Sequence, residues 1–398
     1  MYYYVVNTKI NFTWIRGYYA KYFEFDALPR YAASVVGTVI FFLLLSILDR
    51  GTFVELQVYM GVGSFVLWLS DLGLVNRSML SFASGRKGLS KYLLSLRILS
   101  FLFFGSIIGI ITSKISDTFC ILLFFGVMMD LMTDGFALFR TVVSHSNFPN
   151  LFLFFKKSFT LILIIFSIAL HHTITDDELG IFLITSSFSI IVTDIIFWRK
   201  VKIEIDHDDY LKSILSWIQS GGVTLVGLDA MILSKAYPEI VAIFSYIRKV
   251  SNLLGVNAGR MTRKVLILDL DKMNSFIYRN IIIILPFQCF VFCSTLALNN
   301  VFLHFHLNMI GISTLLILIL LLPIGFNTSL INLRFQKMGL YRELIYINWG
   351  TSGIYLVAIL IGVQHKNPVY FLIGAMLNQI LEILLFMCIL NKFKVQLS

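Results

Sequence analysis

The sequence alternates between long apolar runs and short polar segments. Each apolar run has about 20 residues, the length that an α-helix needs to cross the hydrocarbon core of a bilayer. The pattern predicts twelve spans, at residues 32–48, 54–74, 92–112, 118–138, 151–170, 179–198, 213–233, 238–258, 276–298, 307–326, 344–363 and 368–390. The first is expected to extend back through Arg30, and the polar stretch 219–222 makes the seventh the weakest.

The composition agrees with this pattern. Of the 398 residues, 58% are apolar and 14% are charged, and the mean hydropathy is +0.85. Soluble domains have about half apolar and about a quarter charged residues, so a soluble fold of this length could not bury so much apolar surface. The sequence therefore predicts an all-α integral membrane protein with the lipid bilayer as its solvent. We expect no cleavable signal peptide, because the first span can direct insertion.

The basic residues are concentrated on one side of the predicted membrane. The side that includes both termini carries 22 Lys and Arg residues in its loops and tails, whereas the other side carries 4. Cytoplasmic loops are enriched in lysine and arginine, which predicts that both termini are cytoplasmic. Most of the net charge of +10 follows from this topology, so it does not indicate a nucleic-acid partner. We call this side the basic side.

Twelve spans divide into two halves of six. The expected parts are a cytoplasmic interfacial segment at 1–30, a first six-helix lobe at 31–198, a linker at 199–212, a second six-helix lobe at 213–390 and a cytoplasmic tail at 391–398. The aromatic and basic residues of the first segment are typical of an amphipathic helix at the interface, with an irregular tail as the alternative. An even number of spans gives both lobes one orientation, which indicates parallel repeats.

Several charged residues lie inside the predicted spans. A charge at the bilayer centre costs about 2.5–3.5 kcal/mol on insertion scales, so it usually faces a partner or a hydrated cavity. Arg248 and Lys249 lie near the middle of the eighth span, Asp130 near the middle of the fourth with Asp134 one turn away, and Glu382 past the middle of the twelfth. Four basic residues lie closer to the basic side, where long side chains can reach water by snorkelling: Arg97, Lys156, Lys157 and Arg279.

Two interpretations of these charges stay open. In the first, Asp130 or Asp134 pairs with Arg248 or with a nearby lysine and joins the two lobes. In the second, the basic residues line a hydrated lumen, and the carboxylates balance their charge or carry protons.

Two segments of the chain carry recognisable motifs. Residues 48–85 form a short outside turn, an apolar helix and an Asp-x-Gly motif with a basic residue after it, at Asp71, Gly73 and Arg77. Residues 228–250 begin with an Asp-x-x-Ile-Leu-Ser motif at Asp229. Together with the span count and orientation, these segments resemble the polysaccharide flippases, in which the second motif forms a turn. The flippases belong to the superfamily of multidrug, oligosaccharidyl-lipid and polysaccharide exporters.

The resemblance implies two six-helix lobes around a central cavity and transport by alternating access. It implies that the substrate is a polyprenyl-diphosphate-linked oligosaccharide, a unit of O-antigen, capsule or another exopolysaccharide, and that the protein lies in a bacterial inner membrane. A polysaccharide polymerase and a chain-length regulator are further partners that the resemblance allows, and neither a cofactor nor a metal is predicted. The residues of the cationic lumen would be Arg248, Lys249, Lys156, Lys157, Arg97 and Arg279, with Asp130, Asp134 and Glu382 as coupling or charge-balancing groups.

Two other functions stay open. A cation-coupled multidrug exporter of the same fold would favour an acidic, aromatic cavity, whereas the adjacent Arg248 and Lys249 favour an anion. A membrane glycosyltransferase or polysaccharide polymerase usually has a large loop with catalytic acids, and the longest predicted loops here have eight residues on one side and seventeen on the basic side. The chain has no phosphate-binding loop of the G-x-x-x-x-G-K-[ST] type. We therefore do not predict an enzyme.

The topology can be tested with reporter fusions. A reporter that is active only outside the cytoplasm is expected to give a signal when it is fused at residue 174 and no signal at residue 206, because the basic side stays in the cytoplasm. The reverse pattern of signals would contradict the predicted orientation.

Overall fold

The computed structural model describes most of the first half of the chain and the end of the second half. The described residues are 28–71, 91–115, 119–144, 148–171, 173–198, 210–234 and 338–397, together with isolated positions between 236 and 335. No strand occurs among them.

The described residues form ten α-helices and one 3-10 helix. The first half contains α1 (Leu28–Ile47), α2 (Arg50–Asp71), α3 (Lys91–Ile115), α4 (Ile121–Ser144), α5 (Phe148–His171) and α6 (Asp176–Trp198). The second half contains α7 (Tyr210–Leu225), the 3-10 helix (Val226–Leu228), α8 (Asp229–Ser234), α9 (Tyr341–Gln364) and α10 (Pro368–Leu397).

These helices match the predicted spans with one exception. Helices α1–α6, α9 and α10 coincide with the first six and the last two spans. The seventh span is divided, and the break falls in the 3-10 helix rather than in the polar stretch 219–222, which is helical. Residues 229–234, which the family resemblance predicts as a turn, form α8 instead. The eighth span is described at isolated positions, and the tenth lies outside the described residues.

Side-chain caps fix the starts of two helices on the side opposite the basic side. Asp49 precedes α2, and its carboxylate accepts hydrogen bonds from the Thr52 backbone N–H at 2.9 Å and the Thr52 hydroxyl at 2.8 Å. Before α6, the Thr175 backbone N–H donates to Glu178 Oε2 at 3.0 Å, and the Glu178 N–H donates to Thr175 Oγ1 at 3.3 Å. The second arrangement is a capping box, which satisfies backbone donors that the first helical turn leaves free.

Apolar packing holds the first half together. Helix α1 packs on α5, α4 on α6, and α2 on both α3 and α4. The shared core contains the fully buried side chains of Tyr59, Val66, Leu123 and Ile164. The Tyr59 hydroxyl accepts a hydrogen bond from the Cys120 backbone N–H at 3.1 Å, just before α4 begins. This contact ties the start of α4 to the middle of α2.

The outer faces of the helices carry large apolar side chains that no other part of the described structure covers. Leu99, Phe103 and Ile110 on α3 and Ile162 and Phe166 on α5 are between 61% and 64% exposed. Such continuous apolar surface is typical of contact with lipid. Three helices in the described part of the chain are long and apolar enough to cross a membrane by themselves: Arg50–Asp71, Leu151–Leu170 and Tyr341–Gln364.

Helix α2 also connects the two halves. In the second half, α9 packs on α7 and on α10. Helix α2 packs along α7, the 3-10 helix and α8, and we call this contact the seam. A second contact between the halves is made by Ala242, in the eighth predicted span, which is buried in the core of the first half.

The cap at Asp49 predicts a measurable effect. Asp49→Ala should lower the free energy of unfolding by about 1 kcal/mol, because the Thr52 N–H loses its acceptor, and Asp49→Asn should lower it less. The hydrogen bonds from the Thr52 backbone and hydroxyl hold the pKa of the Asp49 carboxyl below its usual value. Because the folded-state pKa is the lower one, this electrostatic part is present above about pH 4 and is lost as the pH falls further. Thermal unfolding of the purified variants measures both effects, and equal stability of Asp49→Ala and the parent protein at neutral pH would contradict the assignment.

Candidate functional site

Helices α4 and α5 bring together four of the charges predicted inside the membrane. Asp130 and Asp134 lie one turn apart on α4 and therefore share a face. Lys156 and Lys157 are adjacent on α5, which packs beside α4. The four side chains form one network of ion pairs, which we call the charge quartet.

Each lysine of the charge quartet contacts both carboxylates. Lys156 Nζ lies 2.8 Å from Asp130 Oδ1 and 2.7 Å from Asp134 Oδ1. Lys157 Nζ lies 2.8 Å from Asp130 Oδ2 and 3.2 Å from Asp134 Oδ2. The two positive and two negative charges cancel, so the quartet as a whole is neutral. Contacts of this kind are needed to offset the desolvation of charges in an apolar interior.

Lys156 is the most deeply buried member of the charge quartet. Its side chain has 0% exposed area, so it does not reach water by snorkelling. It also donates to the Asp130 backbone oxygen at 2.7 Å and to the Thr133 hydroxyl. An ammonium group has three donors, and all of them have acceptors here. Asp134, whose side chain is 34% exposed, is the most accessible member.

The charge quartet lies entirely within the first half of the chain. The carboxylates do pair with nearby lysines, as one interpretation of the sequence proposed. These ion pairs of the described residues join α4 to α5, however, and do not join the two lobes.

Lys249 brings a positive charge from the second half beside the charge quartet. Its Nζ lies 3.7 Å from the position that a β-carbon would occupy at Gly37 on α1. Its charge interacts with those of Lys157, Asp134 and Asp130. Among the described residues it has neither a hydrogen-bond nor an ion-pair partner. The neutral quartet and Lys249 together therefore carry one excess positive charge.

Three of the other predicted site residues belong to other helices. Glu382 lies on α10, which packs against α9, and it forms no ion pair with any described side chain. Arg97 lies on α3, and Asp71 is the last residue of α2. The remaining predicted residues lie outside the described part of the chain: Arg248, Arg279, Gly73 and Arg77.

The motif residue Asp229 has a structural contact. It is the first residue of α8 and is 2% exposed. Its Oδ2 accepts a hydrogen bond from the Tyr355 hydroxyl at 2.5 Å, and its Oδ1 accepts one from the Ala230 backbone N–H at 2.7 Å. Tyr355 is a buried residue of α9, so this carboxylate connects α8 to α9.

Three residues that complete these contacts were missed in the sequence. Thr133 follows Asp130 by three positions on α4, so helical periodicity was a signal that its hydroxyl shares the face of the carboxylates. Gly37 and Tyr355 contact residues from distant parts of the chain, and no local pattern indicates them.

The described residues include no candidate metal centre. No group of three or more His, Cys, Asp and Glu side chains in this part of the chain is placed to hold a metal ion. The described cysteines are free, and Cys120 Sγ donates to Asp177 Oδ1 at 3.2 Å.

The fold resembles those of several solved transporters. A mutant of the Vibrio cholerae MATE transporter VcmN is similar with a TM-score of 0.63 at 12% identity, over 92% of this chain and 96% of that chain. The MATE multidrug transporter DinF-BH is similar with a TM-score of 0.62 at 11% identity, over 90% and 92% of the two chains. A MOP-superfamily transporter from Pyrococcus furiosus, described as having a binding pocket of reverse polarity, has a TM-score of 0.56 at 15% identity, over 92% and 95%. No protein-family model matches this chain, and no curated protein does.

At these identities the likeness shows the fold. The chain is an all-α membrane protein with the fold of the MATE transporters, which have twelve helices in two lobes, and the predicted fold class is confirmed. MATE transporters belong to the MOP superfamily, which also includes polysaccharide flippases.

The charge quartet predicts a large effect of removing one carboxylate. Asp130→Asn should lower the free energy of unfolding by about 3–5 kcal/mol, because the buried Lys156 and Lys157 then share one carboxylate. Asp134→Asn should have a smaller effect, because Asp134 is more exposed. Thermal unfolding of the purified proteins measures the difference.

A charge-balanced double variant is the matched control. Asp130→Asn combined with Lys157→Gln leaves one lysine and one aspartate, and it should recover part of the loss. An Asp130→Asn protein as stable as the parent would show that the ion pairs contribute little.

Proposed function

We propose that this protein is a membrane transporter that works by alternating access and carries a polyprenyl-diphosphate-linked oligosaccharide from the cytoplasmic to the outer leaflet of a bacterial inner membrane. The fold supports a transporter, because its structural neighbours are transporters and not enzymes. The motifs at Asp71 and Asp229 support a flippase, although Asp229 also has a structural role. The sugar units and the coupling ion are left open by this proposal.

The charge of Lys249, which has no ion-pair partner among the described residues, is the main support for an anionic substrate. A cation deep in a span usually faces a partner or a hydrated cavity. The four charges of the charge quartet cancel, so the quartet has no excess carboxylate to neutralise Lys249. A lipid diphosphate provides the missing negative charge. A site for organic cations would instead need an excess of carboxylate.

The basic residues have different roles in this proposal. Arg248 precedes Lys249, and adjacent helical positions diverge by about 100°, so at most one of the two points directly into the lumen. The planar guanidinium of Arg248 matches phosphate oxygens, whereas Lys249 provides a compact charge beside it. Lys156 has no accessible donor, so Lys157, whose side chain is 17% exposed, is the quartet lysine that remains available to a substrate.

The membrane potential favours this direction of transport. A lipid diphosphate carries about two negative charges, and the membrane potential is negative inside, so the potential drives these charges outward. Each charge corresponds to about 2.3 kcal/mol per 100 mV. Export of the anion is therefore downhill in the field, and proton coupling through Asp134 is not required on energetic grounds.

A multidrug exporter is the second candidate. Most of the solved structures that resemble this chain are described as MATE or multidrug transporters, so the fold by itself favours this alternative. The transporter from Pyrococcus furiosus is described as having a binding pocket of reverse polarity that suggests a different function, so members of this fold differ in the polarity of their pockets. The sign of the excess charge beside the charge quartet is therefore the feature that separates the two candidates.

The proposal predicts the effect of removing the two adjacent basic residues. In a bacterium in which this gene is the sole exporter of its kind, Arg248→Ala should abolish surface polysaccharide, and Arg248→Lys should restore part of it because a charge returns without the planar fork. Surface polysaccharide is measured by gel electrophoresis, and the amount of inserted protein by immunoblotting. Glu343→Gln on α9 is a matched control, which should keep full export.

Two outcomes would contradict the flippase proposal. The first is full surface polysaccharide in the double variant Arg248→Ala and Lys249→Ala. The second is normal polysaccharide in a deletion strain that accumulates organic cations, a result that would favour the multidrug exporter.

A further inference from the structure

Three tryptophans meet at one end of the seam between the two halves. Trp68 on α2 stacks on Trp217 of α7, with ring centroids 5.2 Å apart and an angle of 19° between the rings. Trp349 of α9 contacts the edge of Trp68, with a centroid distance of 6.3 Å and an angle of 63°. We call these three residues the tryptophan latch.

Hydrogen bonds across the seam are reciprocal in the tryptophan latch. Trp68 Nε1 donates to the Trp217 backbone oxygen at 2.9 Å, and Trp217 Nε1 donates to the Trp68 backbone oxygen at 2.7 Å. Trp349 Nε1 donates to the Ile218 backbone oxygen at 2.6 Å, which joins α9 to α7. Trp68 and Trp217 are partly buried and Trp349 is exposed, and the N–H groups of Trp68 and Trp217 find their acceptors in the other half of the protein. Separation of α2 from α7 therefore breaks both reciprocal bonds together.

Two glycines of α7 make room for the tryptophan latch. A β-carbon at Gly221 would clash with the ring of Trp68 and would lie 2.9 Å from Trp349 Cζ2. A β-carbon at Gly222 would lie 2.7 Å from the Asn348 backbone. The polar, glycine-containing stretch of the seventh predicted span is thus the surface on which the rings and α9 pack.

The tryptophan latch occupies the end of the seam that lies on the basic side. Further along, a β-carbon at Gly61 of α2 would clash with the backbone oxygen of Gly227, so the two backbones cross in close contact. At the opposite end, Val54 packs with Ala230 and Leu233 in an apolar cluster. The seam therefore has directional hydrogen bonds at one end and apolar contacts at the other.

The close crossing lies beside the break in the seventh span. Gly227 belongs to the 3-10 helix that separates α7 from α8, and a short 3-10 segment within a helical run often marks a hinge. Motion about this point would separate α2 from α7 while α8 remains packed on α2 and α9.

We propose that the tryptophan latch is a gate that closes the transporter on the basic side, which is predicted to be cytoplasmic, and that it must open before substrate can enter from that side. The proposal rests on the alternating access of the proposed function, but it requires no particular substrate. Loss of the indole hydrogen bonds should shift the equilibrium toward the state that is open on this side.

Cysteine labelling tests the gate. Ser64 lies on α2 one turn beyond Trp68, on the same face and between the latch and the Gly61 crossing, so Ser64→Cys reports access past the latch. The reporter is placed in a protein whose four natural cysteines are replaced by alanine, and a membrane-impermeant maleimide is added to inside-out vesicles. Ser187→Cys, a fully buried position of α6, is the control reporter.

Phenylalanine substitutions remove the N–H groups and keep aromatic rings. Trp68→Phe or Trp217→Phe should raise the labelling rate of Ser64→Cys about fivefold, as expected for one lost hydrogen bond, and the double variant should raise it further. Gly221→Ala should have the same effect by displacing the ring of Trp68. Trp198→Phe, at the end of α6, should leave the rate unchanged.

Three results would overturn the proposal. One is an unchanged rate at Ser64→Cys in the Trp68→Phe, Trp217→Phe double variant. Another is an equal increase at Ser187→Cys, which would indicate general loosening of the protein. The third is an increase in right-side-out vesicles but not in inside-out vesicles, which would assign the gate to the other side. No substrate is present in these measurements, so the labelling rates test the gate independently of the flippase proposal.

Discussion

The absence of water in the hydrocarbon core is the constraint on which this structure depends. A polar group buried there must find its partner within the protein. Lys156 meets this requirement with two carboxylates, a backbone oxygen and a hydroxyl, and Asp229 meets it with the hydroxyl of Tyr355. The indole groups of Trp68 and Trp217 meet it across the seam. Lys249 differs from these groups, because it has no hydrogen-bond or ion-pair partner among the described residues.

The helices could be predicted because bilayer thickness fixes their length and excludes polar residues from most of their positions. The members of the charge quartet could be identified from the sequence for the same reason, since charges within spans are rare. The sequence left open which basic residue pairs with each aspartate, because this choice depends on the packing of α4 against α5 and not on depth alone. The division of the seventh span at the 3-10 helix was not predicted, because Gly221 and Gly222 were interpreted as local flexibility, whereas they provide a flat surface for α9 and the tryptophan rings.

The fold of this protein does not determine its substrate. The likeness to MATE transporters extends over nine tenths of the chain, yet identities of 11–15% carry no information about the ligand. In the proposed function, the preference for an anionic ligand rests on the positive charge of Lys249, because the four charges of the charge quartet cancel one another.

The neutrality of the charge quartet has an electrical consequence. When a lobe rotates, every fixed charge that changes depth moves through part of the membrane field and produces a displacement current. The two lysines and two aspartates move together with their helices, so their contributions cancel. Of the five described charges at this site, Lys249 alone would leave an uncompensated signal, and Arg248 next to it in the sequence would add to that signal. A bound diphosphate of two negative charges would cancel the current of these two residues, whereas a cationic cargo would increase it. The change of a transient current between an empty and a loaded membrane would therefore report the sign of the charge of the cargo without its chemical identification.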